Sequence, residues 1–313
     1  MPNPDLSGYW ISTDCFGKIT HKIVSKQDIL FIINPNSGNR KAKSEIPQLI
    51  ENQLDKRLFN PKIIQTEYAG HASKITEDAV KKQFEIVVAI GGDGTVNEIA
   101  KVTVGTGTSV GIIPMGSGNG LARELGISMT PSKAIGQLNQ ASRIKIDSCE
   151  INDNPFFCTA GIGFDAHCAE VFSKLSSRGL RNYIKVGLQE YWKYKPLQIS
   201  FAGLDYQVFS MTFANARQFG NDALVAPSAT IDDGFIDCTI LNPHPFLAAP
   251  LLIGQLFNGT LPDSQYVEAF RGKKFTVNSE KNFLIHYDGE PMQLNTNELK
   301  IKVFEKSLNV MMP

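Results

Sequence analysis

Three times in its first portion the chain repeats one scheme: an apolar stretch, a turn rich in glycine or asparagine, then a segment with helical spacing. Ile29-Leu30-Phe31-Ile32-Ile33 runs into Asn34-Pro35-Asn36-Ser37-Gly38. Glu85 to Ile90 runs into Gly91-Gly92-Asp93-Gly94-Thr95, and the short strand from Ser109 runs into Gly116-Ser117-Gly118-Asn119-Gly120. A continuously apolar strand needs cover on both faces, which is the situation of a parallel sheet. Strands alternating with helices then predict a doubly wound α/β unit. Helices are expected over about 42–58, 70–83 and 95–103, and a strand over 61–68. Glycines at the turns let backbone approach a ligand closely, and the amides opening each helix present partial positive charge to phosphate. One such turn need only connect a strand to a helix. Three at successive strand ends mark the edge where open α/β sheets bind ligands.

From about Arg143 the texture changes. Segments such as "RIKIDSCEIN", "YQVFSMTFANA", "GFIDCTIL" and "ELKIKVFE" alternate apolar with polar residues between Gly, Pro, Asn and Asp, the pattern of antiparallel sheet or sandwich. A basic helical stretch, Arg178 to Pro196, interrupts them. The expected organisation is an unassigned extension over 1–27, an α/β nucleotide-binding domain over 28–142 and a β-rich substrate domain over 143–313. The fold class is therefore α/β followed by β.

Composition narrows the function. Lys+Arg and Asp+Glu both number 31, so no global charge draws the chain to nucleic acid or to an anionic membrane. The five cysteines are scattered without a C-x-x-C, which suits reduced thiols and a cytoplasmic location. "MPNPDLSGYW" lacks the pattern of a signal peptide, and the most apolar segment, "PFLAAPLLIGQLFNG" (Pro245 to Gly259), is too short to span a bilayer. No transmembrane helix is expected. Neither G-x-x-x-x-G-K-[ST] nor G-x-G-x-x-G is present.

Read together and in order, "NPNSG", "GGDGTVNE", "PMGSGNGLARELGI", "GIGFDA" (Gly161 to Ala166), "DDGFIDCTIL" (Asp232 to Leu241) and "YDGEP" (Tyr287 to Pro291) resemble the diacylglycerol kinase and sphingosine kinase superfamily. The similarity is greatest to the bacterial soluble lipid kinases, and the wider relatives include the NAD kinases. It covers nearly all of the chain after residue 27. It implies an N-terminal α/β domain, a C-terminal β-rich domain to which the last residues need not be confined, and an ATP site in the cleft between them. The reaction it implies is transfer of the ATP γ-phosphoryl group to a hydroxyl of diacylglycerol or a related lipid alcohol, a sphingoid base included. Two alternatives stand: an NAD kinase-like enzyme for a soluble hydroxyl, and a catalytically idle nucleotide-binding regulator. Ser117 stands where many relatives carry threonine and keeps the hydroxyl.

The resemblance distributes roles over these residues. Asn34, Ser37, Gly38, Gly92, Gly94, Thr95, Asn97, Gly116, Ser117 and Asn119 are candidates for the nucleotide, with Asn119 also placed to cap a helix. A carboxylate beside triphosphate is repelled unless Mg²⁺ lies between them or the acid faces the attacking hydroxyl. Asp93 is accordingly assigned to the metal-nucleotide, and Asp93→Ala is expected to abolish transfer with the fold intact. Asp288 is preferred as base, in competition with Asp93. Asp288 and Glu290 would share a face on an extended segment, or sit on an Asp-Gly hairpin turn. Glu98 reads as a first-turn carboxylate. Asp165 is a candidate for the lipid head group or the cleft, or for a structural role in its turn. Asp232, Asp233 and Asp237 are candidates for the structural Mg²⁺ that relatives carry near this segment, or for a hairpin turn. His167 and His286 read as ordinary polar residues. Arg178 to Pro196, with Trp192, has the composition of an interfacial helix, and Pro245 to Gly259 reads as core or as an acyl-chain wall. Peripheral membrane association and a homodimer are compatible with these features.

Overall fold

The structure, a computed structural model, describes residues 9–13, 19–23, 26–38, 44–175 and 180–313. Two strands, β1 (Tyr9–Thr13) and β2 (Ile19–Ile23), form a separate hairpin. The α/β portion then runs β3 (Gln27–Ile33), α1 (Ile46–Gln53), β4 (Phe59–Gln65), α2 (His71–Lys81), β5 (Ile86–Gly91), α3 (Asp93–Thr103), β6 (Ser109–Pro114), α4 (Gly120–Glu124) and α5 (Pro131–Leu138). Its strands lie parallel in the order β6-β5-β3-β4. The continuous apolar runs are buried, Ile29 to Ile33 and Ile86 to Ile90 each being at most 2% exposed. The first helix is shorter than its spacing predicts, because Leu54 turns extended (ψ 132°) and leads towards β4. Pro61 is tolerated in β4 since that strand is the sheet edge.

The rest of the chain supplies β7 (Ser142–Ile151), β8 (Asn154–Phe156), β9 (Thr159–Gly163), α6 (Phe164–Ser173), α7 (Leu180–Glu190), β10 (Leu197–Phe201), β11 (Leu204–Val208), β12 (Ser210–Ala214) and β13 (Ile236–Leu241). After them come a 3₁₀ turn at Phe246–Ala248, α8 (Ala249–Asn258), β14 (Val267–Gly272), β15 (Lys274–Ser279), β16 (Leu284–Tyr287), β17 (Glu290–Gln293) and β18 (Glu298–Met312). Six of these strands make an antiparallel sheet in the order β14-β13-β12-β9-β16-β17. The others extend the first sheet, which runs β11-β10-β15-β18-β6-β5-β3-β4 with β7 and β8 joined through β18. A second core fills the space between the sheets, with Ile199, Val277 and Leu299 from one meeting Ile162, Met211, Phe213 and Ile285 from the other.

The last strand joins the two portions. β18 pairs antiparallel with β15 and β7, and near its end it runs parallel to β6 through Asn309 opposite Ser109 and Val310 opposite Val110. Its pairing with β7 shifts register between Phe304 and Leu308, where Lys306 adopts φ 48°. Asp147, fully buried, holds that irregularity: one carboxylate oxygen accepts the Lys306 amide at 2.6 Å and the other accepts the Gly234 amide at 2.6 Å. Removing the carboxylate leaves two inward amides without a partner, at about 1–3 kcal/mol each. Asp147→Ala is therefore expected to lower unfolding stability by roughly 2–4 kcal/mol in a urea titration. An unchanged midpoint would remove Asp147 from this role.

Candidate functional site

The three turns predicted to form a cradle meet at the edge of the parallel strands. Gly92 and Gly116 lie back to back: a Cβ on Gly116 would stand 2.5 Å from the Gly92 Cα. Gly38, at φ +63°, presses on the third turn, where a Cβ would meet the Met115 carbonyl oxygen at 2.1 Å. Side chains lock the arrangement. Asn34 donates its Nδ2 to the Thr95 hydroxyl at 3.0 Å, and its own Oδ1 accepts the Asn36 amide. Asp93 accepts the Asn119 amide at 2.8 Å on Oδ2 and the Gly120 amide at 2.7 Å on Oδ1. The carboxylate that opens α3 thus anchors the start of α4. Burial pushes its pKa up, and the amides of Asn119 and Gly120 pull it part of the way back.

Asn119 stands at the helix N-cap position but does not cap. It adopts φ 55°, and its amide folds back on Gly116, accepting from that residue's N–H at 3.0 Å and donating to its carbonyl at 2.9 Å. Glu98 also departs from expectation. Its carboxylate accepts the amides of Gly70 and Ala72 at 3.0 and 3.1 Å, so it caps α2 from the neighbouring α3.

Asp288 and Glu290 do not share a face of an extended segment. Asp288 (φ 46°) and Gly289 (φ 84°) form the two-residue turn between β16 and β17, with Tyr287 paired to Glu290. Positive φ at both centres is the geometry of a type I′ hairpin, which Asp-Gly adopts readily. The turn aims the two acids differently. Asp288 points inward, where Oδ2 accepts Asn97 Nδ2 at 2.9 Å and the Phe157 amide at 3.0 Å, and Oδ1 accepts the Cys158 amide at 2.8 Å. Burial raises its pKa and the nearby Asp93 charge adds to the rise, against the lowering by Asn97 and the two amides. Glu290 remains exposed, its Oε1 3.0 Å from the place of a Cβ on Gly94.

A cleft of about 1430 Å³ joins this region to an apolar one. At the polar end it is lined by every nucleotide candidate except Asn119, and by Asp93, Asp288 and Glu290. At the other end stand Phe172, Leu188, Phe209, Leu252 and Leu256 among others. Between them, Asp165 in the first turn of α6 accepts the Thr212 hydroxyl at 3.0 Å and faces His286 Nε2 at 3.1 Å. His286 is 3% exposed and lines the cleft, so it is a cleft residue where the sequence suggested only an ordinary polar one. Gly161 leaves room for the pair, since a side chain there would collide with both Asp165 and His286. His167 instead pairs with Glu190.

Asp232, Asp233 and Asp237 are not gathered into a metal site. Among the described residues no group of three or more His, Cys, Asp or Glu side chains could hold a metal ion. Asp233 pairs with Arg271 and accepts the Phe235 amide at 3.0 Å, while Asp232 is exposed. The four cysteines within the described residues, Cys149, Cys158, Cys168 and Cys238, are free and buried, and Cys15 lies outside those residues. No helix among the described residues is long and apolar enough to cross a membrane.

Comparison with known proteins follows this division. Residues 28–151 match the diacylglycerol kinase catalytic domain, and residues 158–312 match the YegS C-terminal NAD kinase beta sandwich-like domain. A Pseudomonas aeruginosa protein named probable lipid kinase YegS-like is 32% identical over 254 residues, which cover 78% of this chain and 82% of that protein. The chain belongs to the YegS-like lipid kinase family. A Bacillus subtilis protein named diacylglycerol kinase is 26% identical over 270 residues, covering 83% of this lipid kinase and 88% of that protein. In fold, a crystal structure of a diacylglycerol kinase from Bacillus anthracis superposes with a TM-score of 0.67 at 17% identity, covering 92% of this chain and 97% of that one.

This lipid kinase is a phosphotransferase acting on an alcohol, and membership of the family implies ATP as donor. The glycine cradle fits a phosphate chain: its turns close on one another and line the cleft, since a Cβ on Gly38 or Gly116 would collide with the neighbouring turn. The residues do not make a protein-held magnesium site, since the oxygens of Asp93 and Asp288 are committed to amides and to Asn97.

Two outcomes follow for these acids. Asp93→Ala is expected to cost roughly 2–4 kcal/mol of stability as well as transfer, because it strands two amides; a variant that melts like the wild type would contradict the latch. For Asp288 the folded value lies above the ordinary 3.8. Its contribution to stability is therefore full below the unfolded pKa and is lost as pH rises through the folded one. The stability difference between wild type and Asp288→Asn in urea should shrink from about pH 4 towards neutrality. A difference that grows with pH would reverse the assignment.

Proposed function

We propose that this kinase transfers the γ-phosphoryl group of ATP to a hydroxyl of diacylglycerol or a related lipid alcohol, with Glu290 as the base. One observation carries the reading: a single cleft has glycine backbone at one end and an apolar wall at the other. The triphosphate lies on the backbone of Gly38, Gly92, Gly94, Gly116 and Ser117, at the first turn of α3, where amides and the helix dipole favour anions. Asn34, Thr95, Asn97 and Asn119 act mainly by holding that backbone and Asp288 in place. Magnesium carried by the nucleotide would neutralise phosphate charge, with no residue of this chain assigned to hold it.

The acceptor oxygen attacks the γ-phosphorus, a new O–P bond forms, and the bond to the β,γ-bridging oxygen breaks to release ADP. The hydroxyl proton passes to a carboxylate. Asp288 has its oxygens filled by Asn97 and the amides after Pro155, and protonating it would displace one of them. Glu290 is exposed beside Gly94 and has no such commitments among the bonds described. Its competitor keeps one argument, the raised pKa of Asp288, which suits a base. Asp165, oriented by Thr212 and His286, reads the polar head of the acceptor. The apolar lining favours a lipid over NAD or another soluble alcohol. The enzyme works from the cytoplasm at a membrane surface and feeds phospholipid metabolism.

Purified protein given ATP, magnesium and a panel of diacylglycerol, sphingoid bases and NAD is expected to phosphorylate the lipids; transfer to NAD alone would end the lipid reading. Glu290→Gln is expected to lower kcat by about 10²–10⁴-fold with ATP affinity kept. Near-normal kcat in that variant would return the base to Asp288.

A further inference from the structure

Helix α8 is apolar on both sides. Ala249, Leu252, Ile253 and Leu256 line the cleft, whereas Leu251, one position from Leu252, is 63% exposed. Leu247, in the preceding 3₁₀ turn, is 89% exposed. From Leu241 to Gly259 the sequence contains no Asp, Glu, Lys or Arg. The outer surface continues onto the segment after α7. Trp192 is 72% exposed, and its ring lies 4.6 Å from that of Phe246. Tyr191 joins the same cluster, 5.1 Å from Phe246, and its hydroxyl donates to the His244 carbonyl. Tyr191 and His244 also line the cleft. The exposed patch is thus the reverse side of the cleft's apolar wall.

A helix that is apolar all round is normally covered. At ten residues α8 is too short to cross a bilayer, but a helix of this kind lies in the headgroup–acyl boundary. Charge selects the cover. Lys193 and Lys195, which follow Trp192 in the chain, and Lys185 on α7 are exposed. The acid in their midst, Glu190, is half-buried and paired with His167 and Lys193. Exposed lysines on the segment that carries the exposed tryptophan complement anionic head groups.

We propose that Trp192, Leu247 and Leu251 seat this protein on an anionic phospholipid bilayer. Resting on the lipid-acceptor reading, the docked orientation sets the cleft's apolar end against the membrane, so that an acceptor reaches the phosphate cradle without its chains crossing water.

The test uses full-length protein and vesicles of phosphatidylcholine with or without phosphatidylglycerol, and no nucleotide. Wild type is expected to cosediment with the phosphatidylglycerol vesicles. In a Trp10→Phe background the remaining Trp192 emission is expected to shift to the blue on binding. Leu247→Glu with Leu251→Glu should weaken vesicle binding at least about tenfold, from the apolar area withheld, while ATP binding and turnover of a short-chain, water-soluble acceptor stay unchanged. Wild type that ignores the vesicles, Trp192 emission that does not move, or a double variant that binds like the wild type would overturn the proposal. So would a wild-type dimer that the double variant converts to monomer with vesicle binding untouched, since a second copy would then be the cover. Vesicle binding as expected without phosphorylation of any lipid supports the docking surface and removes the lipid-kinase reading instead.

Discussion

The site depends on two backbones touching where side chains would keep them apart. Gly92 and Gly116 pack Cα against Cα, and Gly38 closes on Met115 from the third side. Such contact brings the openings of two helices within reach of one anion, but it offers little attraction of its own. Asp93 supplies the attraction. Its two oxygens span from the start of α3 to the amides of Asn119 and Gly120 at the wall of the cleft. In that setting the hydrogen bonds are strong and their loss is costly. A carboxylate next to a phosphate site therefore need not face the phosphate. Here it neutralises amide donors behind the cradle and leaves the front to the ligand.

The same logic explains Asp288. A left-handed residue in a tight turn normally carries a short polar side chain that bonds locally. Asp288 bonds instead across the molecule, to Asn97 on α3 and to the amides of Phe157 and Cys158. It ties the turn after β16 to the α/β portion, which carries Glu290 to Gly94. Scaffold acids and a chemically free acid thus stand side by side. Hydrogen-bond accounting separates them where pKa direction alone does not, since burial raises both Asp93 and Asp288.

Much of this was legible in the chain itself. The buried runs at Ile29 to Ile33 and Glu85 to Ile90 announced parallel strands because their apolar residues are continuous, and the glycine turns announced the cradle. What could not be read was direction. Whether Asp288 and Glu290 diverge depends on a turn that Asp-Gly favours but does not dictate. That Asn119 folds onto Gly116, or that Glu98 caps a helix from a neighbouring element, depends on contacts across many residues of sequence. His286 read as an ordinary polar residue for the same reason: one histidine in a strand carries no signal until Asp165 is brought opposite it. The aspartates of "IDDGFID" looked like ligands by proximity in sequence, yet Asp233 is committed to Arg271.

The path of β18 ties chemistry to architecture. One strand is antiparallel to β15 in the outer part of the sheet and parallel to β6 at the start of that strand, the end away from the glycine turns. Such a strand couples the two portions through backbone hydrogen bonds rather than through a flexible linker, so large hinge opening between them would break the ladder. The pairing of β18 with β7 shifts register between Phe304 and Leu308, and buried Asp147 fixes the chain there. At the apolar end of the cleft the segment after α7 and the 3₁₀ turn before α8 meet through aromatic contacts instead of sheet, Tyr191 and Trp192 against Phe246. The ladder thus ties the two portions together through backbone, while the apolar end of the cleft is closed by side-chain packing.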